Sequence, residues 1–334
     1  MSNNIHYTNY DPADIPAWEK LRAAFSKRGV GGSSMGAVAG LEGAFTSAYS
    51  LWAEIVGLVP PKPRDNPYLR DGHDLEALVA ARFEEASGLK LRHRYAIITN
   101  DDYPHLFANV DRFVDGEDAG WEGKTYDPRS SKFDDGVPPS YVAQVTVYLA
   151  VTCKTRWYLS AWSYGQGTRH YVFALDPAAQ KPDWATELVV IDPAAFAAAE
   201  QMAAEFVGYC QSKDTPPPVD GSDATEQALR AIHPDSVDGS CDLEAFAADL
   251  DAIADLDRKI DALESAKDLH KQKIMEFMGD LERGTAPGWS VSYKTTTANR
   301  FDAKAAKAAL GSALDPFYTA STSRTLRIRA AKAK

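Results

Sequence analysis

The chain has 334 residues, 45% of them apolar, a formal net charge of −11 and three cysteines. That length admits one large domain with a smaller appendage, and the wide spacing of Cys153, Cys210 and Cys241 excludes a disulfide framework, a zinc ribbon and a four-cysteine iron–sulfur cluster. No run of about 18 uncharged apolar residues is present to span a membrane, and the opening Met-Ser-Asn-Asn-Ile-His has no basic-then-apolar leader, so a cytoplasmic protein with reduced thiols is expected.

In chain order, residues 1–17 are polar and contain proline, a loosely held lead-in. Residues 18–25 form a short helix, and Gly29-Val-Gly-Gly-Ser-Ser34 is a glycine-rich turn running into residues 35–41. Residues 47–56 are helical, with Tyr49, Trp52 and Val56 on one face and Gly57 as the stop. Residues 60–67 are a proline-rich loop. Residues 74–86 make a strong helix ended by Gly88, with Leu75, Leu78, Val79 and Phe83 as its apolar face and Glu76 near its start.

Residues 89–98, 105–114 and 119–126 read as strands, and Asp115-Gly-Glu-Asp118 is the turn of a hairpin joining the last two. A helix over 140–150 follows Pro138 and Pro139. Strands at 156–163, 169–175 and 187–191 precede a helix over 193–211. Residues 213–223, with three consecutive prolines, are the clearest linker. Beyond it Phe246, Leu250, Ile253, Leu256, Ile260 and Leu263 recur every three or four residues, and Ile274, Phe277 and Leu281 resume the pattern, describing a long amphipathic helix or a helical hairpin. Residues 288–294 and 323–329 alternate as short strands. The domains expected are thus a lead-in (1–17), a core (18–212), a linker (213–223) and a helical C-terminal region with a basic end (224–334).

The hairpin carries the chemistry. Residues two apart in a strand share a face, so Glu122 and Lys124 project together, and the turn brings Asp111 beside them. Two carboxylates and an ammonium converging on one spot are costly to bury without a partner. A hard divalent cation is such a partner, and phosphodiester hydrolysis is what Mg²⁺ at such a site performs: it activates water, orients phosphate and neutralises charge. Asp111, Glu122 and the carbonyl of Gly123 are the candidate ligands, and Glu76 is placed to complete or widen the site. Lys124 would orient or help deprotonate the attacking water, and Gln144 would hold Lys124 or a phosphate oxygen.

Glu76, Asp111, Glu122-Gly123-Lys124 and a following helix with Gln144 are similar in order to the PD-(D/E)xK nuclease pattern. The segment resembles the YqaJ-like viral recombinase family, the family of phage lambda exonuclease. Three stretches carry the likeness: Arg28-Gly-Val-Gly-Gly-Ser33 resembles the family's opening turn, Asp71-Gly-His-Asp-Leu-Glu76 its helix start, and Tyr141-Val-Ala-Gln144 its later helix. The resemblance covers residues 20–176. It departs at Ser34, where the family usually has an acid. It implies an α/β core of restriction-endonuclease type, a central mixed sheet flanked by helices, to which the apolar periodicity beyond the linker appends a helical, partly coiled-coil C-terminal region.

It further implies a Mg²⁺-dependent DNA exonuclease of phage recombination, with Mn²⁺ able to substitute. Such an enzyme digests linear duplex DNA 5′ to 3′ and leaves 3′ strands for a single-strand annealing protein. The opening turn would bind a 5′-phosphate through Ser33 and Arg28, with Arg22 or Lys27 as other bases for that place. Ring-forming relatives imply a homo-oligomer. The alternatives are another nuclease of the superfamily, serving repair or defence, and a DNA-binding module without activity.

A net charge of −11 argues against a phosphate-rich partner. The charge is unevenly placed, however: residues 220–257 hold 11 acids and one base, and residues 283–334 hold 10 bases and two acids. His73, His93 and His105 are read as structural or solvent-exposed, and Trp157, Trp162 and Tyr164 as core rather than base-stacking surfaces.

Overall fold

A computed structural model describes residues 4–61, 67–319 and 324–329, and no side chain at 67–70 or 73. The elements are β1 (Ile5–Asn9), α1 (Ile15–Ser26), β2 (Val30–Gly31), α2 (Gly32–Val38), α3 (Ala48–Ile55), α4 (Pro67–Ser87), β3 (Leu91–His93), β4 (Ala96–Asn100), β5 (Tyr103–Asn109), β6 (Arg112–Val114) and β7 (Ala119–Thr125). They continue with α5 (Pro139–Thr152), β8 (Arg156–Ser163), β9 (Gly167–Ala174), β10 (Glu187–Val190), α6 (Ala194–Tyr209), α7 (Asp223–Ile232), α8 (Ala247–Met278), β11 (Arg283–Ala286), β12 (Trp289–Ser292) and α9 (Ala303–Leu310). Most of the expected loop at 60–67 and the side chain of His73 lie outside the described residues.

Two sheets share bent strands. The first runs β1-β4-β5-β2 and the second β10-β9-β8-β7-β6-β3. The strand expected over 89–98 is really two, β3 in the second sheet and β4 in the first, and the strand expected over 105–114 divides likewise into β5 and β6. The pairs β4–β5 and β3–β6 are both antiparallel, so one hairpin is folded across a corner. Val110 and Asp111 sit at that corner on one arm, with Val110 packed into the core. β7 pairs antiparallel with β6 and parallel with β8, which makes the second sheet mixed.

Helices cover both faces of the second sheet. On one face α4 packs Val79, Ala80 and Phe83 onto Trp121, Tyr158 and Val172. On the other, α5 and α6 pack Val145, Leu149, Ala203 and Phe206 against Phe113, Trp157, Leu159 and Phe173. α5 is buried almost all round, which explains its near-continuous apolar sequence. Ser47 caps α3 by accepting from the Ser50 N–H. Gly57 and Gly88, both at φ +74°, terminate α3 and α4 in the left-handed conformation. Leu78, expected on the apolar face of α4, is exposed instead, and Tyr164 is exposed at a strand turn rather than buried.

The chain divides into two compact units, Met1–His233 and Pro234–Lys334. The residues expected as a lead-in contain β1, which adds an edge strand to the first sheet. The first unit also extends past the expected linker. α7 packs on α3, where Thr225 donates its hydroxyl to Ser47 Oγ at 2.8 Å and Ala228 enters the core. In the second unit the periodic pattern forms one 32-residue helix, α8, rather than a hairpin. β11 pairs with β12, and residues 324–329 are not a strand.

Candidate nuclease centre

The site lies where the corner of the folded hairpin meets β7 and α5. Leaving β5, the chain turns at Asp111, and this carboxylate accepts the Gly123 N–H at 3.0 Å through Oδ2. Glu122 and Lys124 share one face of β7, as their spacing requires, and lie 2.6 Å apart at Nζ and Oε1. α5 meets that face: Gln144 donates from Nε2 to Glu122 Oε1 at 2.7 Å and to the Tyr148 hydroxyl, also at 2.7 Å. The Tyr148 hydroxyl in turn donates to the Asn109 carbonyl at 3.2 Å. One hydrogen-bonded line thus fixes Lys124, Glu122, Gln144, Tyr148 and the end of β5.

The opposite face of β7 carries Trp121 and Gly123. A methyl on Gly123 would stand 2.7 Å from the Trp121 ring and 3.5 Å from Cγ of Glu76. The missing side chain is therefore what leaves room for the Trp121 ring, with Glu76 from α4 at ordinary contact distance beside it. Its carboxylate accepts from Arg112 Nη2 at 2.9 Å, and the guanidinium lies 5.5 Å from the centre of the Trp121 ring.

Charge in this enclosure is strongly perturbed. Burial, then the charges of Glu122 and Glu76, holds the Asp111 carboxyl well above the usual carboxylate range. Burial alone would depress the Lys124 ammonium, but the charges of Glu122, Tyr141 and Asp111 outweigh it and raise the group. Lys124 is therefore an ammonium in this state, suited to orienting and charge neutralisation rather than to proton abstraction. Burial also drives the Tyr148 hydroxyl well up.

The residues fit a hard cation. Glu122 Oε1 is taken by Lys124 and Gln144, whereas Oε2 is buried with no partner among the described residues. An orphaned carboxylate oxygen beside a second, half-buried carboxyl, with oxygen donors throughout, is the donor set Mg²⁺ prefers. Among the described residues no group of three acids, histidines or cysteines is gathered for a metal, and Glu76 is paired with Arg112.

The glycine-rich turn is placed differently from the expectation. Ser33 is exposed in the first turn of α2, and the base on it is Arg22 from α1, whose Nη2 donates to Ser33 Oγ at 3.1 Å. Arg28 lies over the Phe25 ring at 4.2 Å and lines a cavity of about 180 Å³ with Thr99, Asn100 and Asp101, none of the centre's acids among them. Arg22 lies on α1, whereas Arg28 lies in the turn that follows it. The glycines have a packing reason too: a methyl on Gly32 would lie 2.6 Å from the Tyr148 ring, and one on Gly36 2.7 Å from Ser140 Cβ. They let α2 settle on α5. Tyr148 and Arg112 are the two members that sequence reading missed. Tyr148 lies one helical turn beyond Gln144, and that i, i+4 spacing was the signal available.

Residues 17–155 match the YqaJ-like viral recombinase domain. The chain is similar to the YqaJ protein of Bacillus subtilis (strain 168), 29% identical over 287 residues, which span 84% of this chain and 85% of that protein. Among solved structures it is similar to the alkaline exonuclease LHK-Exo of Laribacter hongkongensis, at 18% identity and a TM-score of 0.42 over 58% of this chain and 92% of that one. A phage-related exonuclease from Haemophilus somnus 129PT is similar at 12% identity and a TM-score of 0.39, over 54% of this chain and 91% of that one.

Proposed function

Because residues 17–155 carry the YqaJ-like viral recombinase domain, we propose that the protein is a Mg²⁺-dependent DNA exonuclease of phage recombination. It hydrolyses linear duplex DNA from the 5′ end and leaves 3′ strands for an annealing protein. The observation that supports this most is Glu122, buried with one oxygen held by Lys124 and Gln144 and the other unpartnered among the described residues, next to Asp111. Asp111, Glu122 and the Gly123 carbonyl would hold the cation, and Glu76 would widen the site. The cation, with Mn²⁺ as a substitute, supplies Lewis acidity toward the phosphodiester and a water of lowered pKa.

The chain's own groups do the rest. Lys124 orients the attacking water with its ammonium and offsets negative charge on the phosphate oxygens. Gln144 and Tyr148 hold the Glu122 carboxylate still, so that its free oxygen stays aimed. Ser33 with Arg22 takes the terminal 5′-phosphate through charge-assisted bonds. Arg28 is not needed for this.

The test uses end-labelled linear duplexes bearing 5′-phosphate or 5′-hydroxyl, with Mg²⁺ or EDTA. Lys124→Ala is expected to lose cleavage by a factor of about 10³ or more while DNA affinity stays within a few-fold. Ser33→Ala and Arg22→Ala are expected to erase the preference for a 5′-phosphate, and Arg28→Ala to keep it. Cleavage that persists in EDTA or in Lys124→Ala would sink the reading.

A further inference from the structure

Arg112 has no part in the chemistry above, yet its side chain is more enclosed than that of Lys124. Its side chain is 13% exposed, and that of its partner Glu76 is 22% exposed. The guanidinium is a rigid fork of five donors, suited to gripping a carboxylate at two points. Here it makes one short contact, Nη2 to Glu76 Oε1 at 2.9 Å, while its buried Nε has no partner among the described residues. The pair is therefore held by position rather than by an optimised fit. Arg112 also follows Asp111 directly in the chain and lies against the Trp121 ring. It stands where three carboxylates gather around Gly123: Asp111 accepts the Gly123 N–H, Glu122 precedes it in β7, and Cγ of Glu76 lies over its open face.

We propose that Arg112 is a built-in counter-ion that competes with the divalent cation for Glu76. In the cation-free protein the guanidinium neutralises Glu76 and keeps its carboxylate off Asp111. When a divalent cation enters between Asp111 and Glu122, Glu76 turns to it and Arg112 is released. Cγ of Glu76 already rests over the open face of Gly123, and the terminal torsion of a glutamate side chain is soft. The exchange keeps the carboxylate cluster from standing uncompensated in either state. This inference rests on reading the centre as a divalent-cation site.

The experiment is calorimetric titration of Mn²⁺ into the full chain and into Arg112→Gln, Glu76→Gln and the double variant, in the absence of DNA. Competition predicts that Arg112→Gln binds Mn²⁺ more tightly, on the order of tenfold, that Glu76→Gln binds more weakly, and that the gain from Arg112→Gln vanishes in the Glu76→Gln background. A gain that survives in that background means a general field effect and overturns the inference alone. So does a loss of affinity in Arg112→Gln. Failure of the parent protein to bind Mn²⁺ overturns both this inference and the reading of the centre. Should Arg112→Gln not fold, the unmodified chain still decides the matter: its Arg112 Nε–H resonance, assigned with Arg112→Lys, must shift on Mg²⁺ addition with the calorimetric midpoint, and a resonance that stays fixed at saturation overturns the exchange.

Discussion

Gly123 has no room for a side chain on β7. Any side chain there meets the Trp121 ring at 2.7 Å, and that ring is itself wedged between Phe83 and the Ser160 hydroxyl. Gly123→Ala is therefore an overpacking change, expected to cost about 1–3 kcal/mol in urea denaturation; an unshifted urea midpoint would contradict it. Gln144→Leu tests the other face. It keeps the volume but strips two donated bonds from buried partners, Glu122 and Tyr148. Losing both bonds, with Lys124 alone left on Glu122 Oε1, is expected to cost on the order of 2 kcal/mol, seen as a lowered thermal midpoint. At this scale the sequence was informative where chemistry follows spacing: Glu-x-Lys places both side chains on one face whatever surrounds them. It was silent on Arg112, whose partner comes from another element 36 residues away. It left Arg28, Arg22 and Lys27 as alternatives beside the glycine-rich turn, and the packing of α1 against α2 puts Arg22 on Ser33.

Three strands of the second sheet are tied together beneath the centre by a line of polar side chains. Trp121 of β7 donates its indole N–H to Ser160 of β8 at 3.0 Å, and Ser160 lies 2.9 Å from Nδ1 of His170 on β9. An indole only donates, so the Ser160 hydroxyl accepts that bond and shares a second hydrogen bond with His170 Nδ1. Burial pushes His170 down to about 4, below the ordinary value of about 6.5. The unfolded chain thus binds more protons than the folded one between these values. The stability contributed by the neutral ring is complete above pH 6.5 and is lost as the pH falls toward 4, by roughly 3 kcal/mol across the window. Urea midpoints from pH 7 to pH 4 check this, and His170→Gln is expected to flatten the fall; an equally steep fall in the variant would assign the titration elsewhere. The strands were legible from their apolar alternation and turn residues. Their division between two sheets was not, because a bend at Val110 and Asp111 costs no glycine or proline and leaves no mark in composition.

At the scale of the whole chain, the proline-rich stretch looked like a boundary, yet the first unit closes only at His233. Composition marks where a chain lacks regular structure, not where packing ends, and α7 packs back on α3 after it. A chain ending at residue 233 is expected to fold as the first unit. One ending at 219 loses Thr225, Ala228, Leu229 and Ile232 from the core and is expected to be less stable by on the order of 4 kcal/mol. Comparison of their thermal midpoints decides between the boundaries, and equal midpoints would return the boundary to the prolines. The longer truncation also isolates α8. On that helix Leu256, Ile260 and Leu263 are all more than half exposed and lie along one stripe, and Phe277 is 92% exposed. A stripe of this kind on a helix about 48 Å long is what a coiled-coil partner covers. If a homo-oligomer forms through it, sedimentation gives the full chain a mass several times its own and residues 1–233 the mass of one chain. Replacing Leu256, Ile260 and Leu263 by Glu in the full chain should have the same effect as the truncation. A shared oligomeric state in all three proteins would move the assembly interface to the first unit.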